Sequence, residues 1–158
     1  LKIPPADGDT LFANMYLAWD GLPDETKAKI KDRRALRSRL RLHHVHYPHL
    51  PLTAEIKARR PDVLHPMART HPETGRTSLF VGRWACEVEG LGAEEGAALL
   101  AELNQWAVRP EFVYRHQWRV GDAVLWDNRC TQHCATPFDD ERFERHMHRT
   151  TIEGLRPT

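Results

Sequence analysis

Alternation at every second residue, interrupted by a tight turn, most restricts the fold open to this chain. Phe112, Tyr114, His116 and Trp118 recur with the period of a β-strand and fall on one face. Gly121-Asp122 then turns the chain into the apolar run Ala123-Val124-Leu125-Trp126, which reads as a second strand. Further short strands are expected at Thr10-Leu11-Phe12, entered from the Asp7-Gly8-Asp9 turn, at Ser78-Leu79-Phe80-Val81 after Gly75, and from His146 to Ile152. Helical spacing is confined to three stretches. These run from Asn14 to Asp20 with Asn14 as cap, from Pro23 to about Arg41 with Leu36 and Leu40 four apart, and from Ala93 to Val108. The last carries Leu99, Leu100, Leu103, Trp106 and Ala107 on its apolar side and is closed by Pro110. An α+β chain with a β core and flanking helices is expected.

A length of 158 residues fits one domain, and 5 Trp, 5 Phe and 3 Tyr with 41% hydrophobic residues give it material for a core. Lys and Arg total 23 against 22 acids, a formal charge of +1, so the molecule as a whole has no electrostatic case for nucleic acid or membrane as partner. No apolar run is long enough for a membrane span. Cys86, Cys130 and Cys134 make an odd set without Cys-x-x-Cys spacing, and no signal peptide opens the chain, which favours a reducing, cytoplasmic setting.

Locally, residues 27–41 hold eight basic residues against Asp32. On a helix these charges go all round and lack interleaved aromatics, so a solvated face is expected rather than a nucleic-acid stripe. His43, His44, His46 and His49 could hold zinc or nickel on paper, but Pro48 and the lack of a nearby Cys or carboxylate favour a flexible surface loop. Cys130 and Cys134 around His133 offer a zinc cluster short of its fourth ligand.

The densest polar constellation is Trp126-Asp127-Asn128-Arg129-Cys130-Thr131-Gln132-His133, followed by Arg145 and Arg149. Residues four apart on a strand share a face but stand roughly 13 Å apart, whereas on a helix about 6 Å would let them grip one anion. Thr150-Thr151-Ile152 favours the strand. Two arginines so placed suit two anions side by side, or are simply exposed on a barrel wall.

These segments, with Thr70-His71-Pro72-Glu73-Thr74-Gly75-Arg76 and Gly8-Asp9-Thr10-Leu11-Phe12, resemble the taurine and 2,4-dichlorophenoxyacetate dioxygenases, the TauD/TfdA family. The likeness runs in the family's order from Lys2 to Gly154 and is weakest between Ala35 and Asp62. It implies a double-stranded β-helix, the jelly-roll of cupin-like proteins, holding Fe(II) through two histidines and a carboxylate with open positions for 2-oxoglutarate and O2. By resemblance His133 is the distal metal ligand, Arg145 pairs with the far carboxylate of 2-oxoglutarate, Thr10 supports that carboxylate, and Arg149 receives the anionic substrate. Trp84 and Trp118 are expected as pocket walls or core.

The family's first histidine and carboxylate come as His-x-Asp ahead of the segment matching Lys2 to Thr10. The chain is therefore expected to be the C-terminal two-thirds of one dioxygenase domain, residues 1–158, lacking its N-terminal part. His71-Pro72-Glu73 is the one His-x-acid present and reads as a turn, not a metal site. The implied function is hydroxylation of a small anionic substrate, an aryloxyalkanoate, sulfonate or alkyl sulfate, next to its heteroatom, with fragmentation of the product. The alternative is a non-catalytic domain of the same fold that binds a small dianion through Arg145 and Arg149. The oligomeric state, homo-oligomer included, is left open.

Overall fold

The computed structural model describes residues 2–59 and 61–152; residues 1, 60 and 153–158, the end of the expected domain, lie outside the described residues. Helices and antiparallel sheets alternate along the chain. Strand β1 (Thr10–Asn14) ends where the Asn14 carboxamide accepts the Tyr16 and Leu17 N–H groups at 3.1 and 3.2 Å, which starts α1 (Met15–Asp20). Helix α2 (Asp24–Ile30) opens behind Pro23 with Asp24 and Glu25 in its positive first turn. After it come β2 (Arg34–Arg37), α3 (His43–His46), α4 (Ala54–Arg59), β3 (Val63–Pro66), β4 (Ala68–Thr70), β5 (Thr77–Leu79) and β6 (Ala85–Val88). Helix α5 (Ala93–Ala107), β7 (Val113–His116) and β8 (Thr131–Ala135) complete the chain.

Three sheets result, in the orders β7-β1-β8, β3-β2-β6 and β4-β5. The core gathers Ala13, Met15, Ala18, Leu22, Ile30, Ala35, Met67, Leu79, Val81, Val88, Leu99, Leu100, Leu103 and Ala107, from the helices, the strands and the short segments that join them. Helix α5 meets its expected span to within a residue, and the Trp106 indole N–H donates to the Ala18 carbonyl at 2.8 Å, tying α5 to α1. Because Ala13 faces this core, its neighbours Phe12 and Thr10 face the other way or lie at its edge.

Four expectations are corrected. The helix expected from Pro23 to Arg41 stops at Ile30, where the Arg33 N–H closes onto the Ile30 carbonyl at 3.1 Å. Residues 34–37 instead become the central strand of a sheet, because β3 and β6 satisfy the backbone on both sides and Ala35 is buried. The basic run is thereby split between elements: Lys29 pairs with Glu95 at 3.1 Å, and Arg41 with Glu87 and Asp62. The strands expected at Ala123–Trp126 and His146–Ile152 carry no ladder; only one bridge, Lys2 with His146, forms there. Extended backbone becomes a strand when a neighbour takes its hydrogen bonds along several residues, and among the described residues none does so beyond the single Lys2–His146 bridge. Finally, the expected loop at His43–His49 begins with one helical turn, closed by the His43 ring on the Leu50 carbonyl at 2.8 Å; the His46 side chain lies outside the described residues.

No helix among the described residues is long and apolar enough to cross a membrane. Leu103 is fully buried between α5 and the strands. Leu103→Ala should lower unfolding free energy by about 2–5 kcal/mol, while Glu102→Ala on the exposed side should change it by under about 0.5 kcal/mol, both read from urea denaturation midpoints.

Candidate active site

The segment Gly8-Asp9-Thr10 assembles one corner of the site by sending alternate groups to opposite faces. Gly8 adopts φ +66°, and a Cβ there would meet Pro4 Cγ at 3.0 Å and Arg145 Cδ at 3.3 Å. With hydrogen in that place, the Arg145 side chain lies across the turn and its Nε donates to the Gly8 carbonyl at 2.7 Å. Asp9 points to the opposite face, where its carboxylate accepts Arg115 Nε at 2.6 Å and its backbone N–H donates to Thr136 Oγ1 at 2.9 Å. This ion pair joins β1 to β7, and the acid is 6% exposed. Thr10 returns to the first face, where its Oγ1 accepts Arg145 Nη2 at 3.3 Å and the Trp118 indole N–H at 2.9 Å.

Antiparallel pairing puts His133 opposite Phe12, two residues along β1 from Thr10, so both side chains share one face of the β7-β1-β8 sheet. The His133 ring lies 6.1 Å from Phe12 and 4.9 Å, edge to face, from Trp126. Burial of the ring and, secondly, the positive charge of Arg149 push its pKa below the ordinary histidine range. A neutral imidazole keeps a lone pair for a metal. Arg149 is exposed and close enough to act on that ring, and no described carboxylate pairs with it or with Arg145. The structure therefore brings Thr10, Arg145 and His133 to one face, with the charge of Arg149 felt at the His133 ring.

Trp84 stands elsewhere, just ahead of β6 in the second sheet. Its ring stacks on Tyr47 at 6.1 Å, with the Arg39 and Arg83 guanidiniums over it at 5.0 and 4.8 Å.

Behind β8 lies a second polar cluster that sequence reasoning left as separate motifs. His71 is buried, and its Nδ1 accepts the Glu73 and Thr74 N–H groups at 3.2 and 3.3 Å. The proton is therefore on Nε2, which donates to Asp127 Oδ2 at 3.1 Å. Asp127 also takes the Arg129 backbone N–H at 2.7 Å and the Arg129 guanidinium, whose Nη1 reaches Glu73 at 2.7 Å. These bonds to Arg129 hold the Asp127 carboxyl far below the usual carboxylate range and raise the guanidinium in turn.

His71, Asp127 and Cys130 bring ligand atoms within 4.8 Å of one another. Both ring nitrogens of His71 are nevertheless committed to protein partners, and the Glu73 carboxylate belongs to Arg129, so this is a clasp and not a metal centre, as the turn reading of His71-Pro72-Glu73 expects. Nor do Cys130, His133 and Cys134 converge: Cys134 pairs with Leu11 on the face opposite His133, while Cys130 joins the clasp. The signal that could have found the clasp was there, since an acid and an arginine in each of two motifs, with a histidine in one, can only be satisfied together when buried.

One face of an antiparallel sheet thus presents an arginine and a hydroxyl joined to each other and a histidine whose pKa is lowered. The chain belongs to the family described as taurine catabolism dioxygenase TauD, TfdA family, whose model matches residues 1–151. It is 41% identical over 160 residues to the alpha-ketoglutarate-dependent 2,4-dichlorophenoxyacetate dioxygenase of Burkholderia sp. (strain RASC), covering 99% of this chain and 52% of that protein. It is 33% identical to an alkylsulfatase of Acinetobacter baylyi, covering 98% of this chain and 50% of the relative. The crystal structure of AAD-2 in complex with Mn(II) and N-oxalylglycine matches with a TM-score of 0.80 at 38% identity, over 90% of this chain and 56% of that one. The chain thus spans about half the length of the curated relatives it matches.

Asp127 has a depressed pKa in the folded state, so its contribution to stability is complete above the unfolded carboxylate pKa of about 4 and is lost as pH falls below it. Asp127→Asn should lower Tm at pH 7 and flatten the fall of Tm between about pH 5 and 3, as measured by calorimetry.

Proposed function

We propose that the protein carrying this chain is an Fe(II)- and 2-oxoglutarate-dependent dioxygenase acting on a small anionic substrate. The observation that carries this reading is the convergence of Arg145 and Thr10 on the sheet face that presents His133. The names of the relatives, which act on a phenoxyacetate or an alkyl sulfate, support a substrate whose anionic group is a carboxylate or a sulfate. In this reading the β7-β1-β8 sheet is part of a jelly-roll, and residues 1–158 are a C-terminal portion of a single dioxygenase domain.

The fit to iron is partial, and the donor chemistry shows where. His133 offers an imidazole with a lowered pKa, and among the described residues no group of three ligating side chains includes it. The other two ligands are assigned to a His-x-Asp outside the sequence in hand. Bound there, iron would couple oxidative decarboxylation of 2-oxoglutarate by O2 to hydroxylation next to the substrate's heteroatom.

The chain's own residues do the placing. Arg145, anchored through Nε on Gly8, keeps Nη1 free among the described residues to pair with the far carboxylate of 2-oxoglutarate, and Thr10 adds its hydroxyl to the same oxygen atoms. Arg149, near the His133 ring, receives the substrate's anion, so two negative groups are held apart on one face. Phe12 and Trp126 line the imidazole and keep water from its flank. Three free thiols, Cys86, Cys130 and Cys134, suit a cytoplasmic location.

Succinate formation under Fe(II) and air, with a phenoxyacetate and an alkyl sulfate offered in parallel, tests the proposal on the full-length protein. Arg145→Ala should raise the 2-oxoglutarate requirement by about 30-fold or more while barely moving the substrate's, and Arg149→Ala should do the reverse. His133→Ala, and the 158-residue chain alone, should form no succinate. Full-length protein that binds the anions without iron or turnover would establish the dianion-binding reading instead.

A further inference from the structure

We propose that Trp118 is a positioning residue that aims the Thr10 hydroxyl at the far carboxylate of 2-oxoglutarate; this rests on the reading of Arg145 and Thr10 given above. A hydroxyl oxygen has two lone pairs and one hydrogen, while an indole N–H and a guanidinium can only donate. Trp118 Nε1 at 2.9 Å and Arg145 Nη2 at 3.3 Å both approach Thr10 Oγ1, so both lone pairs are engaged. The hydroxyl hydrogen is left with the remaining direction, and no described residue accepts it. Thr10 is 7% exposed, so bulk water does not substitute for an acceptor. The corner is thus a donor pair, Arg145 N–H and Thr10 O–H, held ready for an anion.

Remove the indole N–H and one lone pair is released, so the hydroxyl is free to rotate and to give its hydrogen elsewhere. Trp118 holds its own place because its ring meets His116 at 4.4 Å, edge to face, and His116 is the register partner of Thr10 in β7. The register is pinned from the opposite face by Arg115 on Asp9. Trp118 therefore does not touch the cofactor in this scheme; it acts through Thr10.

The test uses full-length enzyme loaded with Mn(II), titrated calorimetrically with N-oxalylglycine, which has the far carboxylate, and with oxalate, which chelates the metal but lacks it. Trp118→Phe should weaken N-oxalylglycine by about 5- to 10-fold and leave oxalate unchanged. In a Thr10→Val background the same substitution should add nothing, because the hydroxyl it aims is gone. Equal weakening of both ligands, additive losses in the double variant, or undiminished N-oxalylglycine affinity in Trp118→Phe would each overturn the proposal. Arg145→Ala separates this from the parent reading: if it leaves N-oxalylglycine affinity intact, the carboxylate site itself is misassigned, whatever Trp118 does.

Discussion

Everything at the candidate site depends on the register of β1 between β7 and β8. Side chains alternate along a strand, so a slip of one residue would carry Thr10 and Phe12 into the core and turn Ala13 toward the His133 imidazole. The structure fixes the register at both ends of β1. Asp9 takes Arg115 from β7 and exchanges two hydrogen bonds with Thr136 beyond β8, and at the other end Met15 donates to the Cys130 carbonyl at 3.0 Å. The fixing contacts at Asp9 lie on the face away from Thr10, which leaves the Thr10 and His133 face free for ligands.

Period-2 alternation made parts of this sheet legible in the sequence. Thr10-Leu11-Phe12 and Phe112–Trp118 both read as strands; the structure starts β1 on the first and extends it to Asn14, and places β7 within the second. Helix α5 was equally plain, since a strong apolar stripe over four turns has few other solutions. What was hidden was everything decided by a partner far along the chain. Residues 34–37 have the composition of a helix continuing from α2, and they become a strand only because β3 and β6 flank them. Ala123–Trp126 has strand composition and gains no ladder, for the same reason in reverse. At the site, motif resemblance assigned His133, Arg145, Arg149 and Thr10, and the structure joins Arg145 to Thr10 on the face that presents His133; Trp118 was expected as pocket wall or core, but its bond to Thr10 and the Asp9–Arg115 pair had no local pattern to betray them.

The clasp of His71, Asp127, Arg129 and Glu73 shows why two short motifs, weak singly, are informative as a set. A buried histidine and a half-buried aspartate need partners, and here each motif supplies the other's. The clasp also sets where β8 starts: Asp127 turns the backbone onto Arg129 and Cys130, and Thr131 begins the strand that presents His133 two residues later. A substitution in the clasp would therefore reach the His133 face through the start of a strand, without touching it.

The two polar clusters differ in how their charges are balanced, and the difference separates holding from binding. In the clasp, Arg129 meets two carboxylates and its charge is spent inside the protein. On the open face, Arg145 leans on a carbonyl and a hydroxyl, Arg149 on no described acid, and the nearby imidazole is neutral. Two cations gathered without counter-charge repel one another and repel a bare metal ion. Such a face becomes electrostatically complete only when anions occupy it. In the proposed function the keto acid and the substrate's anion, rather than any described carboxylate, neutralise the arginines, so that each bound anion makes the face less repulsive toward the metal and relieves the repulsion between the two guanidiniums.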